Sequence, residues 1–279
     1  MIKIITDSSA SLKKQTAEEL GITVLPLNLI IEGQSYLDGI EITNEEFYER
    51  LDNVTELPKT SQILPEYFER EFNAVKESGD EAIVILISSE LSGTYATACS
   101  VKETVGYDKV YVFDSLNALQ GEQLLIFAAC DMAKKGMSGE EIISELEKLR
   151  PRVRFISMVD TLKFLQMGGR LSSAKAFVGE LLKVKPILIM ENGKLVSAAK
   201  EIGVRRAMRK MKSLMDEDEP DPDYPVLYSY SKSPENLYQY LREVGVDENE
   251  VADKIGEISP VAGTHTGPNA LAVMYVAKN

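Results

Sequence analysis

A chain of 279 residues exceeds one minimal core and suits one large domain or two smaller ones. Its 44% hydrophobic and 27% charged residues are those of a globular chain; with no apolar run of membrane-spanning length and no charged-then-apolar leader after Met1, a cytoplasmic protein without stable membrane insertion is expected. A formal net charge of −13 repels phosphate backbones and argues against a nucleic-acid partner.

Short β-rich apolar runs alternate with helical patterns, which predicts a layered α/β architecture with a largely parallel sheet. The runs 2–6, 82–88 and 109–113 read as buried strands, each followed by a polar turn and a helix. Open α/β sheets carry their ligands at such carboxyl-end turns. An insertion separates the first two units. Residues 24–39 read as extended strands turning at Glu32-Gly33, and Thr43-x-x-Glu46 is a capping box that opens a helix. Pro65 suits the first turn of the next helix, which puts Thr60-Ser61-Gln62 in the loop before it. Cys99 and Cys130 fall in helical segments without metal-ligand spacing, so buried thiols are expected rather than a disulfide or a zinc site.

A boundary near Leu149-Arg150-Pro151 divides an N-terminal α/β domain (1–151) from a C-terminal α+β domain (152–279) with a mixed sheet. The second half reads as a strand over 153–159, a segment over 161–184 and a hairpin turning at Asn192-Gly193. A helix over 205–215, a strand over 226–230, a helix over 234–245, a strand over 250–258 and a closing apolar run over 269–277 follow. The acidic block 216–223 reads as a solvated loop, and Arg205, Arg206, Arg209, Lys210 and Lys212 as the exposed face of a helix.

Four loops offer chemistry, each with a bland alternative. Ser92-Gly93-Thr94 sits at a strand-to-helix turn where backbone N–H groups and hydroxyls can converge on an anion, or simply cap a helix. Thr60-Ser61 offers hydroxyls ahead of another helix on the same terms. Gln166-Met-Gly-Gly-Arg170 ends in a planar guanidinium suited to phosphate or carboxylate, though it also reads as a helix end with a surface arginine. Residues 262–268 hold the chain's one histidine, His265, in what reads as a loop; such histidines are more often structural than catalytic.

Taken together, these stretches resemble the DegV proteins. The matches run in family order along the chain: TDSSA at Thr6, KTSQ at Lys59, SSELSGTY at Ser88, VFDS at Val112, LKFLQMGGRLS at Leu162, VKPIL with GKL from Val184, and HTGP at His265. The resemblance implies a two-domain protein with one long-chain fatty acid in an apolar tunnel between the domains. It implies that hydroxyls and backbone groups of Thr60, Ser61, Ser92, Gly93 and Thr94, with His265, hold the carboxylate. It further implies that a separate ATP-dependent kinase subunit phosphorylates that carboxylate to an acyl phosphate for phospholipid synthesis, with Arg170, His265 and Arg205 serving the phosphate or the kinase contact. No cofactor is implied, and the chain itself is a carrier rather than an enzyme. Two positions depart from the pattern: Ile202 stands where relatives often carry arginine, and Asn269 where the closing motif often reaches glycine.

The alternative is a serine hydrolase acting on a lipid ester through Ser92 with His265 as base. Its elbow is missing, because LSGTY is not Gly-x-Ser-x-Gly, and no acidic partner for His265 stands out. A dinucleotide enzyme or a stand-alone kinase would need Gly-x-Gly-x-x-Gly or a P-loop, and neither is present.

Overall fold

The computed structural model describes residues 1–54, 56–171 and 183–278. In the first half, β1 (Ile2–Asp7), α1 (Lys14–Leu20) and β2 (Ile22–Leu25) form one parallel β-α-β unit. The insertion follows as β3 (Asn28–Ile31), β4 (Gln34–Leu37), α2 (Asn44–Leu51) and β5 (Lys59–Ser61). Then come α3 (Pro65–Ser78), β6 (Glu81–Leu86), α4 (Thr94–Val105), β7 (Val110–Asp114), α5 (Gln120–Lys134) and α6 (Gly139–Leu149). The second half holds β8 (Val153–Met158), α7 (Lys163–Met167), β9 (Val184–Glu191), β10 (Lys194–Ile202), α8 (Val204–Glu217), β11 (Leu227–Tyr230), α9 (Glu235–Val244), β12 (Ile255–Glu257), α10 (Pro260–Thr266) and β13 (Leu271–Val276).

The expected α/β fold is observed. One sheet is wholly parallel in the order β2-β1-β6-β7, and a larger mixed sheet runs β10-β9-β8-β13-β11-β12. The parallel strands are near-continuous apolar runs because both faces are covered: Ile83 and Ile85 face one core cluster, Val84 and Leu86 the other. The first cluster continues into the second half through Phe155, Leu188 and Met274, so the two sheets share a buried interior. The strand order reverses between β1 and β6, which makes their carboxyl ends the topological switch point where open α/β sheets place ligands.

Several local expectations hold. The capping box on α2 forms both reciprocal bonds, Pro65 opens α3, and Asn192-Gly193 turns the β9–β10 hairpin with φ of 48° and 80°, as a type I′ turn requires. Cys130 is a buried thiol as expected, whereas Cys99 is only partly buried. Four expectations need correction. Thr60 and Ser61 are not in a loop but in β5, which pairs antiparallel with β3 at Asn28↔Ser61 and Leu29↔Thr60. His265 lies in the last turn of α10 rather than in a loop. The strand read over 250–258 is mostly a 3-10 helix, Glu248–Lys254, with only Ile255–Glu257 in the sheet. The acidic block is partly tied down, since Asp218 and Asp221 pair with Arg154 and Arg152. The continuation of the 161–184 segment through 172–182 lies outside the described residues.

Candidate functional site

A cavity of about 360 Å3 opens at the switch point, at the lower end of the range ligand pockets occupy. Its floor and walls are apolar: Ile87 and Leu91 follow β6, Leu119 precedes α5, and Phe155, Met190 and Leu195 project from the mixed sheet. The hairpin that supplies Met190 and Leu195 is anchored at its tip, where the Ser88 hydroxyl donates to Gly193 O at 2.8 Å. A Cβ on Gly193 would lie 2.4 Å from Ser88 Oγ, so this close approach, as well as the positive φ, demands glycine there. Leu119 itself holds φ 54°, ψ −140°, a strained backbone for a leucine, and its N–H is donated to Ser9 O at 3.2 Å.

The polar end of the cavity gathers residues from four distant stretches. Thr60, Ser61, Ser92, Gly93, Arg170 and His265 all line it. Thr94 stands behind the wall, fully buried, with its hydroxyl 2.9 Å from Ser92 Oγ. Arg205 is exposed near the start of α8 and does not line this cavity. Ile202 is exposed at 62%, and Asn269, with φ 60°, occupies the left-handed conformation that asparagine tolerates.

His265 Nε2 lies 2.9 Å from Thr60 Oγ1. Nδ1 is buried with no partner among the described residues, facing Gly168, where a Cβ would intrude to 2.2 Å. Desolvation, seconded by the Arg170 charge, pushes the imidazole down to about 4, so it is neutral at physiological pH. Arg170 is itself held between loops, with Nε donating to Leu91 O at 3.1 Å and a second nitrogen donating to Gly168 O. It thereby joins the loop after α7 to the loop after β6. Gly267 completes the interlock: its φ is 71°, and a Cβ there would strike the Phe164 ring at 2.4 Å.

Sequence reasoning missed three contributors. Gln62 reaches over Gly93, where a Cβ would meet Oε1 at 2.0 Å, so a side chain at 93 would push the glutamine amide aside. Ser9 lines the cavity while donating to Glu122 Oε2 at 3.2 Å, beside Thr6, which donates to Oε1 at 3.0 Å. Burial raises the Glu122 carboxyl well above its usual range. Gly168 was visible only as a flexible pair with Gly169, not as the seat of the histidine.

Chemically, the arrangement offers neutral hydroxyls, a neutral imidazole and one guanidinium at the end of an apolar volume. It suits an anionic head group on an apolar body. It does not form a nucleophilic triad. Ser92 Oγ pairs with Thr94 rather than with His265, and the imidazole Nδ1, which a triad presents to a carboxylate, has no partner. Among the described residues, no group of three or more His, Cys, Asp or Glu converges to hold a metal, and no helix is long and apolar enough to cross a membrane.

Fold and site therefore define a class: an α/β protein with an apolar cavity ending in hydroxyls, a neutral imidazole and one guanidinium. Comparison with known proteins narrows this. Residues 1–278 match the family described as "Uncharacterised protein, DegV family", and the chain belongs to the DegV family. Protein DegV of Bacillus subtilis is 34% identical over 280 residues, spanning 99% of each chain. Among solved structures, a DegV family protein from Thermus thermophilus, described by its fatty acid binding, matches at TM-score 0.87 with 27% identity, covering 99% of each chain. A stearic acid-binding protein from Eubacterium ventriosum matches at 0.86 with 28% identity, covering 100% of this chain and 99% of its own.

Proposed function

We propose that this protein binds one long-chain fatty acid in the switch-point cavity and presents its carboxylate for phosphorylation by a separate ATP-dependent kinase subunit. The observation that carries the reading is the cavity's polarity: an apolar body ending in Thr60, Ser61, Ser92, Gly93 and His265. Hydroxyl and backbone donors hold a carboxylate while leaving an oxygen nucleophilic, which a fixed ion pair would quench. The binding of fatty acid by the Thermus and Eubacterium relatives supports the same ligand class here. Thr94 acts from behind, orienting the Ser92 hydroxyl. Arg170 and His265 lie where a phosphoryl group would form, and Arg205 on α8 serves as a kinase contact. On this reading 1–151 and 152–279 act as two domains closing on the ligand, and the chain supplies no catalytic group of its own.

The test is native mass spectrometry of the purified protein, followed by denaturing extraction of any bound lipid. A stoichiometric fatty acid is expected. An empty protein that also fails to take up added fatty acid overturns the reading. Ser92→Ala should then weaken retention by roughly tenfold, the cost of one charge-assisted hydrogen bond. Arg170→Ala should spare fatty acid binding and impair acyl phosphate formation when a kinase subunit is supplied.

A further inference from the structure

A second cleft, of about 700 Å3, adjoins the polar end of the switch-point cavity, between the segment leading into β5 and the stretch from α7 to Arg170. Thr60, Arg170 and His265 line both volumes, so the cleft is a vestibule that shares a wall with the polar end. The Thr60–His265 contact at 2.9 Å ties two of these side chains together in that wall.

The vestibule collects positive charge in a chain whose net charge is −13. Lys59 at the start of β5 and Lys163 at the start of α7 both line it, and both are exposed. Among the described residues, neither side chain is held by a salt bridge or a hydrogen bond. Arg170 adds a third cation at the shared wall; its bonds to Leu91 O and Gly168 O go to neutral carbonyls, and no carboxylate among the described residues pairs with it. The only acid among the described lining residues is Glu56, which is exposed. Leu57, Phe164 and Met167 make the remaining walls apolar, so charged contacts fall to the three cations. A cleft lined by one sign of charge focuses the field and concentrates counter-ions, and an anion of several charges that faces all three cations relieves their repulsion best. Ammonium and guanidinium groups both suit phosphate oxygens.

We infer that the vestibule is a polyphosphate subsite, in which Lys59, Lys163 and Arg170 hold the phosphate chain of the phosphoryl donor beside the ligand carboxylate. The donor's presence rests on the fatty acid reading above; the anion site rests on the cleft and its cations. Bringing a polyphosphate up to a carboxylate sets like charges against each other, and the cations on the vestibule side offset that repulsion. The carboxylate side keeps its hydroxyls and its neutral imidazole.

The experiment is isothermal titration of the full chain with sodium tripolyphosphate at low ionic strength, with inorganic phosphate as the short control. Saturable one-to-one binding of tripolyphosphate is expected, several-fold tighter than that of inorganic phosphate. Lys59→Ala and Lys163→Ala should each weaken it about two- to fivefold, the range of an exposed ion pair, and about tenfold together. Lys135→Ala removes the same charge at the other end of α5, about 20 Å along that helix from the cavity, and should leave the affinity unchanged. No saturable binding, equal affinity for inorganic phosphate, or an equal loss from Lys135→Ala overturns the inference. Lys59 and Lys163 are exposed, so their variants should fold. Lipid extraction from the same preparations separates the two readings. A protein that retains fatty acid and binds no tripolyphosphate overturns the polyphosphate subsite alone, whereas one that neither holds nor takes up fatty acid overturns the fatty acid reading and the donor assignment with it.

Discussion

The two ends of α10 face different surroundings. Its C-terminal end presents His265 to the hydroxyl-lined cavity, while its N-terminal end meets the buried carboxyl of Asp38. Desolvation dominates at both ends and favours the neutral form in each case, lowering the imidazole to about 4 and raising the carboxyl to about 6. The consequences at neutral pH are opposite. The histidine is already neutral, whereas the aspartate carries its charge in a desolvated site that Ser8, Ser259 and the Val261 N–H ease only in part. One cause with opposite outcomes at neutral pH shows that burial alone does not mark function. What marks it is burial against the group's state at working pH.

The largest effect expected at the histidine end comes from filling its seat. Gly168→Val puts a branched side chain where a Cβ already meets His265 Nδ1 at 2.2 Å, and it should displace the ring from Thr60. Overpacking of this kind costs about 1–3 kcal/mol. Ligand retention should fall with it, measured by extraction and by denaturant unfolding; a variant that keeps both would show that the ring tolerates another position.

The opposite titrations give the next pair of effects. His265 has a folded pKa below its unfolded value of about 6.5, so its contribution to stability is complete above 6.5 and is lost as pH falls toward 4. The loss approaches roughly 3 kcal/mol, and His265→Asn should remove that part of the pH dependence. Asp38 has a folded pKa above its unfolded value, so the native state is favoured below about 4 and loses stability as pH rises to 6, with the full cost above that. Asp38→Asn should therefore stabilise the protein at pH 7.5 by up to about 3 kcal/mol and gain little at pH 4. Unfolding curves across pH check both signs. The groups facing Asp38 are Asp7, Ser8, Ser259 and the Val261 N–H, none of them cationic, so no neighbouring base confuses the direction.

Much of this architecture is legible in the chain. The parallel strands announce themselves as apolar runs, and α2 and the β9–β10 turn by local signatures whose geometry needs no distant partner. What was misread depends on tertiary contact. Lys59–Ser61 has no apolar alternation, and it is a strand only because β3 offers it an edge. Residues 260–266 contain Pro260, Gly263 and two threonines, poor helix formers, and α10 exists because its surroundings bury and hold it: Tyr48 donates to Ile258 O at 3.0 Å, and Ser259 N donates to Ser11 Oγ at 3.0 Å. The quoted motifs led to the polar end of the cavity. Their mutual seating, Gly168 under His265 and Gln62 over Gly93, joins positions far apart in sequence and leaves no local trace. Asp38 was invisible for the same reason, since an aspartate before a glycine ordinarily marks an exposed turn.

The smallest effect tests how the apolar body of the cavity is held shut. Met190 and Leu195 reach it from the β9–β10 hairpin, which touches the loop after β6 through the Ser88 hydroxyl and Gly193 O. Ser88→Ala removes that bond and leaves a buried carbonyl short of a donor, which costs about 1 kcal/mol. It also removes the acceptor of the Glu90 N–H, in the turn whose Ser92 N–H donates to Ser88 O at 3.1 Å, while leaving the Thr60, Ser92 and His265 side chains unchanged. On the fatty acid reading, ligand dissociation should speed up by a few fold, because the hairpin and that turn are both less firmly anchored. If dissociation is unchanged while stability falls, the hairpin is held by its sheet alone, and the cavity's two ends are independent in energy as well as in chemistry.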